Sequence, residues 1–562
     1  MNHSTLAHTR STSKPNVKNW VRAALATAML ASGTMLATPA FAAINLYTAT
    51  IADLNAAFKA GTLTSEQLTS AYMARIEAYD KKGPTINAVI MLNPKALAEA
   101  RTLDAERKAG KLRGPLHGIP VILKDNFDTV DMPTTGGSQL LAGSVPPDDA
   151  FVVKKLRAAG AIILAKMNLS EWAGGGGSVG GAKDPAVLKA GAIPNGSSTM
   201  GGQTLNPHDL LRGPAGSSGG TGAGLAAVFA QFGMGTDTGG SIRGPSSVNG
   251  IVGLKPTHGL LSRDGIIPLA LTFDTGGPMA RSVYDIAIAM NVMTGVDAAD
   301  AATQKSAGKI EKDYTAFLKT GSLKGARIGV ARDFTGNSAE VDRVFNEAVA
   351  TLTKLGAKVV DVRYPDYMLE GRMDISALIM ASEFKAQITD YLKTTKPGFP
   401  KTFDDLVRLS NDPKTKYRSA EKAYALKYTQ SVALDLNDPI YLAAKNQGLA
   451  MITNAVLGVM KNNQLDAIVY PTNTRGAALI KPTSAPTATS PTESPTNIAN
   501  QTGFPDLIVP AGMTKEGLPV TISFFGPAFS EAKLLGYGYD FEQATKAIRL
   551  PKFTPALASD KL

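Results

Sequence analysis

The chain has 562 residues, 44% of them hydrophobic, and 58 Lys+Arg against 47 Asp+Glu give a formal charge of +11. That length suits one large α/β domain or two smaller ones, with ample apolar content for a core. Zero cysteines exclude a disulfide framework, thiol catalysis and thiolate-bound zinc. The basic excess is modest and spread along the chain, which argues for a solvated surface and against a nucleic-acid partner.

Residues 1–42 carry Arg10, Lys14, Lys18 and Arg22 and no acid, then an apolar run over 23–37, then Ala40-Phe41-Ala42. Basic, apolar and small-residue segments in that order predict a secretory signal cleaved after Ala42. An uncleaved anchor is the alternative, for which the run is short. No later stretch is long and apolar enough to span a bilayer. The expectation is therefore a periplasmic or secreted protein without stable membrane insertion once the signal is removed.

The following segment opens with helices. Thr64 and Gln67 fit a capping box, and Leu68, Tyr72, Ile76 and Tyr79 follow at helical spacing. A second helix is expected to begin at Asn93-Pro94 and end at Gly110. From Gly118 short apolar strands alternate with helices: strand 119–123, helix 151–159, strand 161–165. Glycine is dense over 174–224, which predicts loops around a site, followed by a helix over 219–231. Residues 327–331, 341–352 and 358–362 read as a βαβ unit. Residues 366–460 are helical in pattern and suit an insertion over or beside the sheet. The Pro, Ser and Thr-rich stretch 482–496 reads as a surface loop, because strands at 467–470 and 506–510 flank it. A strand over 519–525 and a helix over 530–547 close the pattern. The alternation predicts an α/β fold in which a mixed central sheet is covered by helices on both faces of a single large domain.

Two serine-glycine clusters stand out: Gly216-Ser217-Ser218-Gly219-Gly220, and Gly235-Thr236-Asp237-Thr238-Gly239-Gly240-Ser241-Ile242-Arg243. Glycine lets the backbone turn several N–H groups towards one point, as a tetrahedral oxyanion requires, and a serine at such a turn is placed to attack. Either cluster alone equally fits a flexible loop. Lys124 ends the strand that precedes Asp125-Asn126, a position where lysines are commonly solvated. The first cluster also fits G-x-S-x-G with Ser218 at its centre, but that elbow needs a later histidine with an acid between. The histidines beyond the leader are His117, His208 and His258, and His258 follows too soon. With no H-E-x-x-H and these histidines scattered singly, no metal site and no cofactor are expected.

Taken together, these blocks resemble the amidase signature family of serine hydrolases. Arg113-Gly114-Pro115-Leu116-His117-Gly118-Ile119-Pro120, Lys166-Met167-Asn168-Leu169-Ser170-Glu171-Trp172, Gly250-Ile251-Val252-Gly253-Leu254-Lys255-Pro256 and Arg263-Asp264-Gly265-Ile266-Ile267-Pro268 carry the likeness, with Thr502-Gly503-Phe504-Pro505 and Gly517-Leu518-Pro519-Val520 near the end. The resemblance divides residues 43–562 into N-terminal helices (43–115), a signature core (116–300), a helical substrate-side insertion (366–460) and closing strands with a helix (465–548). It implies Ser241 as nucleophile, Ser217 as the bridging serine after a cis peptide bond from Gly216, and Lys124 as base. It further implies an oxyanion hole from the N–H groups of Thr238, Gly239, Gly240 and Ser241. Gly216, Ser218, Asn126, Met167 and Trp172 are assigned to the substrate lining, and Asp237 and Arg243 to support of the nucleophile loop.

The implied reaction is hydrolysis of a carboxamide through an acyl-serine, with a small-molecule or peptide amide as substrate. Among relatives the blocks look most like bacterial peptide amidases, although residues 174–195 form a glycine-rich insertion between two of them. Esters, aryl anilides and oligoamides are alternative substrates for the same machinery, and a non-catalytic exported binding protein is the alternative from another class. Oligomeric state is left open.

Overall fold

The computed structural model describes residues 44–175, 193–481 and 493–562. The expected signal segment and most of the 174–195 and 482–496 stretches lie outside the described residues.

The N-terminal helices form where their caps predict. Thr64 Oγ1 accepts from the Gln67 amide at 3.1 Å while Gln67 Oε1 accepts from the Thr64 amide at 2.9 Å. This reciprocal pair starts helix Ser65–Tyr79, whose Leu68, Tyr72, Ile76 and Tyr79 are buried. The next helix runs Ala96–Lys108, and Gly110 turns left-handed just beyond it.

The described residues hold thirteen strands, in chain order β1 (Val89–Leu92), β2 (Pro120–Lys124), β3 (Ile162–Met167), β4 (Ser197–Ser198), β5 (Gly202–Gln203), β6 (Phe232–Asp237), β7 (Val252–Lys255), β8 (Thr275–Ala280), β9 (Arg327–Ala331), β10 (Lys358–Val362), β11 (Ala467–Pro471), β12 (Asp506–Met513) and β13 (Pro519–Phe525). Eleven of them make one sheet in the order β1-β3-β2-β6-β8-β7-β12-β13-β11-β9-β10, and β4 pairs only with β5. Strands β3, β2 and β6 are parallel, as are β11, β9 and β10. The centre, from β6 to β11, is antiparallel. The sheet is therefore mixed.

Side-chain alternation along these strands gives the sheet two buried faces. In β11, Ala467 and Val469 join the large core while Ile468 and Tyr470 join a second one. The large core also holds residues of helices Gly219–Ala226, Val283–Met293, Ala339–Lys354 and Glu531–Thr545. The second is closed by Asp366–Lys393 and Leu449–Asn462 through Met368, Leu369, Ile452 and Val456. The 366–460 region also covers the glycine-rich end of the sheet. Phe384, Ile388, Phe403 and Leu406 pack with Trp172, Ala173, Ile267 and Leu269.

Two expectations are corrected. The helix expected over 219–231 ends at Ala226, Val228 adopts φ +61°, and the chain turns back into β6. Strands β6, β7 and β8 have no counterpart among the sequence-derived elements. Glycine in β6 serves packing and not a turn. A Cβ at Gly233 would fall 2.7 Å from Ile122 Cγ1, and one at Gly235 would fall 2.8 Å from Ser218 Oγ. No helix among the described residues is long and apolar enough to cross a membrane.

Candidate active site

The site forms where β2 and β6 end side by side. Strand β2 lies between β3 and β6, in register Lys124↔Met167 and Leu123↔Met234. A residue at its last position is thus walled in by neighbours on both sides, and Lys124 is 0% exposed. Its Nζ is 2.7 Å from Ser217 Oγ and 2.6 Å from Thr236 Oγ1. Burial disfavours the ammonium and lowers the Lys124 pKa to about 7, against the opposing pull of the Asp237 and Asp274 charges.

Ser217 precedes helix Gly219–Ala226 and follows a cis peptide bond from Gly216. Its carbonyl accepts from the Ser170 amide at 3.0 Å, and the Ser218 amide donates to the Ser241 carbonyl at 3.1 Å. The second of these bonds ties the two serine-bearing turns directly together.

The turn from Thr238 to Ser241 is built on Asp237. Its Oδ1 accepts from the Gly240 amide and from Asn500 Nδ2, each at 2.8 Å, and its Oδ2 accepts from the Ile242 amide at 2.9 Å. Arg243 reaches Asp237 Oδ2 through Nε at 3.2 Å and Asp506 Oδ2 through Nη1 at 3.2 Å, while the Tyr470 hydroxyl donates to Asp506 at 2.8 Å. Asp237, Arg243 and Asp506 are all buried. Burial alone pushes the Asp237 carboxyl up, but the Arg243 charge and the hydrogen bonds from Arg243, Asn500 and Ile242 outweigh it and hold the group well below the usual carboxylate range. Gly240 has φ +115°, and a Cβ there would fall 2.9 Å from Thr496 Cβ. Ser241 and Gly239 are half-buried, as is Gly216, whereas Thr238, Gly240, Lys124 and Ser217 are buried.

The sequence-derived residues therefore fall into groups. Lys124 and Ser217 are in contact, the Ser241 turn is tied to the Ser217 turn through the Ser218 amide, and Asp237 with Arg243 braces the Ser241 turn. The Gly240 amide is committed to Asp237 Oδ1, which removes it from the four N–H groups expected for an oxyanion hole. Asn126 is buried and donates from Nδ2 to Thr236 Oγ1 at 3.1 Å. Two lining assignments are corrected. Ser218 is 0% exposed, its hydroxyl lodged between the backbone N and O of Thr236. Met167 points into the core, its Cε 2.8 Å from where a Gly224 Cβ would stand, because β3 is buried on both faces. Trp172, at φ +57°, sits in the apolar cluster with Ile267 and Leu269.

Sequence reasoning missed Thr236, Asn500 and Asp506. Thr236 was detectable once β6 is recognised as a strand running parallel to β2, since the register Leu123↔Met234 puts it one residue past the position opposite Lys124. Asn500 and Asp506 lie over 250 residues from Asp237, and no local pattern announces them.

A buried amine in contact with a serine hydroxyl, next to a second serine turn on an α/β sheet with no thiol, suits a hydrolase type of site. The chain matches the family model described as Amidase over residues 67–535. It is 34% identical over 517 residues to a probable amidase of Arabidopsis thaliana, covering 90% of this chain and 91% of that one. It is 33% identical over 515 residues to a glutamyl-tRNA(Gln) amidotransferase subunit of Caldanaerobacter subterraneus, covering 90% and 98%. Among solved structures it is similar to the native peptide amidase of Stenotrophomonas maltophilia, with 38% identity, TM-score 0.81, and 90% and 99% of the two chains covered. The chain belongs to the amidase family, and hydrolysis of amide C–N bonds is its chemistry.

Proposed function

We propose that this amidase cleaves carboxamides, with C-terminal peptide amides as a leading substrate class, through an acyl-enzyme on Ser241. The observation that carries the proposal is Lys124, wholly buried, with Nζ 2.7 Å from Ser217 Oγ and a pKa lowered to about 7. A serine hydroxyl is a weak nucleophile at neutral pH and needs a base. Neutral Lys124 takes the proton of Ser217, which takes that of Ser241 as Ser241 Oγ bonds to the carbonyl carbon. The amides of Thr238, Gly239 and Ser241 receive the oxyanion. When the C–N bond breaks, the relay runs backwards and protonates the leaving nitrogen. Water then adds to the acyl-serine by the same steps, releasing the acid and restoring Ser241 and Lys124.

The likeness to the Stenotrophomonas peptide amidase supports the peptide-amide class. Labelling by a fluorophosphonate tests the mechanism: Ser241 takes the label in the native protein, and Ser241→Ala takes none. Equal labelling of both, or of neither, contradicts it. A panel of peptide amides, anilides and esters ranks the substrates.

Export is proposed from the order of basic, apolar and small residues in 1–42. A mature N-terminus at Ala43 after expression in a bacterial host is the expected result, and an intact leader on soluble protein contradicts it.

A further inference from the structure

Among the described residues Lys124 Nζ has two hydrogen-bond partners, and the relay uses one of them. The other is Thr236 Oγ1 on the adjoining strand, at 2.6 Å. Thr236 Oγ1 also accepts an N–H from Asn126 Nδ2 at 3.1 Å. Lys124, Thr236 and Asn126 are 0%, 5% and 1% exposed. They continue the Lys124–Ser217 contact as one buried chain of polar groups.

A neutral amine carries two N–H donors and one lone pair. The lone pair can accept the Ser217 proton only if the N–H groups are directed elsewhere. Thr236 offers an acceptor at hydrogen-bond distance. Its β-branched side chain has restricted χ1 freedom on a strand, and the Asn126 amide pins the oxygen from the other side. The reverse arrangement, in which the Thr236 hydroxyl donates to the amine, would occupy the lone pair that Ser217 needs.

On the Ser241 mechanism proposed above, we infer that Thr236, held by Asn126, is a positioning residue for the general base: it accepts an N–H from Lys124 and so keeps the amine's lone pair on the Ser217 hydroxyl. The same contact becomes charge-assisted when Lys124 is protonated, and it then favours the ammonium. The charges acting on Lys124 are those of Asp237 and Asp274, while Asp125, next in the chain, is 3.1 Å from Lys166 Nζ. A neutral substitution at Thr236 leaves all of these in place.

The test compares Thr236→Val and Thr236→Ser with the wild type, measuring kcat, KM and the pH profile of kcat/KM on a peptide amide. Thr236→Val is expected to lower kcat about tenfold to a hundredfold with KM nearly unchanged. It should also move the acid limb about one pH unit or more towards acid, as fits loss of a hydrogen bond to a charged group. Thr236→Ser, which keeps the hydroxyl, is expected to recover both. If Thr236→Val does not fold, Asn126→Ala is read for the same two changes in smaller measure. An unmoved acid limb in the folded variant, or a variant faster than the wild type, overturns the inference. Wild type and Lys124→Met in the same assay separate this from failure of the parent mechanism. A flat wild-type profile, or an active Lys124→Met, defeats the base itself. A sloping wild-type profile with an inactive Lys124→Met and an unmoved Thr236→Val defeats only the role of Thr236.

Discussion

Replacing Lys124 by methionine keeps a chain of similar length in the same slot but removes the amine, and it separates the residue's chemical use from its energetic cost. The Lys124 pKa falls from an ordinary 10.5 to about 7 on folding. Between those values the unfolded chain holds a proton that the folded protein lacks, so wild-type stability rises with pH across that window and is lowest below pH 7. At about 1.36 kcal/mol per unit, the full penalty at low pH is on the order of 5 kcal/mol. From pH 6 to pH 9 the wild type should gain roughly 3 kcal/mol relative to Lys124→Met, in which this titration is absent. The variant also strands the Ser217 and Thr236 hydroxyls, but that cost of about 1–3 kcal/mol does not vary with pH, so the slope carries the test and not the intercept. Urea unfolding of both proteins at several pH values measures it, with other titrating groups cancelling in the difference. The same variant should lose about 10²–10⁴-fold in kcat. Parallel stability curves for the two proteins would refute the claim that folding strips Lys124 of its proton.

Asp237→Asn replaces an acceptor-only group with one that presents a donor to the backbone amides of Gly240 and Ile242, and it leaves buried Arg243 short of a counter-charge. A loss of about 3–5 kcal/mol in denaturant unfolding is expected, together with loss of activity, and a change under about 0.5 kcal/mol would contradict the bracing role. Gly240→Ala places a Cβ at φ +115° and against Thr496; the fold should persist by circular dichroism while fluorophosphonate labelling falls at least about tenfold. Asp128 behaves in the opposite sense to Lys124. Its carboxyl is pushed up to about 7 by burial, so the folded state binds an extra proton above about pH 4 and loses stability as pH rises towards 7. Asp128→Asn, which still accepts from the Tyr391 hydroxyl, should unfold at higher temperature than the wild type at about pH 7.5 and show little difference at about pH 4.5; equal shifts at both would count against it.

Legibility in the sequence followed the range of the interaction. Thr64 and Gln67 bond to each other's backbone within one turn, so the capping box was readable, and the β9–helix–β10 unit announced itself by periodicity. Strand β6 was hidden because Gly233 and Gly235 look like turn residues, and only the nearness of Ile122 and Ser218 explains why glycine is needed there. Met167 was misread for a related reason: a strand buried on both faces has no polar side to show which residue looks at the site. Lys124, taken alone, is the kind of residue that sits in water after a strand. Its burial follows from β3 and β6 closing on either side of β2, a consequence of sheet order that no local window contains. The same holds for Asn500 and Asp506, which β12 and the short helix before it bring to Asp237 and Arg243 through the pairing of β12 with β7.

The protonation state of one side chain can be read without substrate. With lysine labelled by ¹³C at Cε and the Lys124→Met spectrum used for assignment, the Lys124 resonance should titrate near pH 7, apart from the surface lysines. A midpoint near the ordinary lysine value of 10.5 would leave Ser217 facing an ammonium at neutral pH, and would contradict the mechanism.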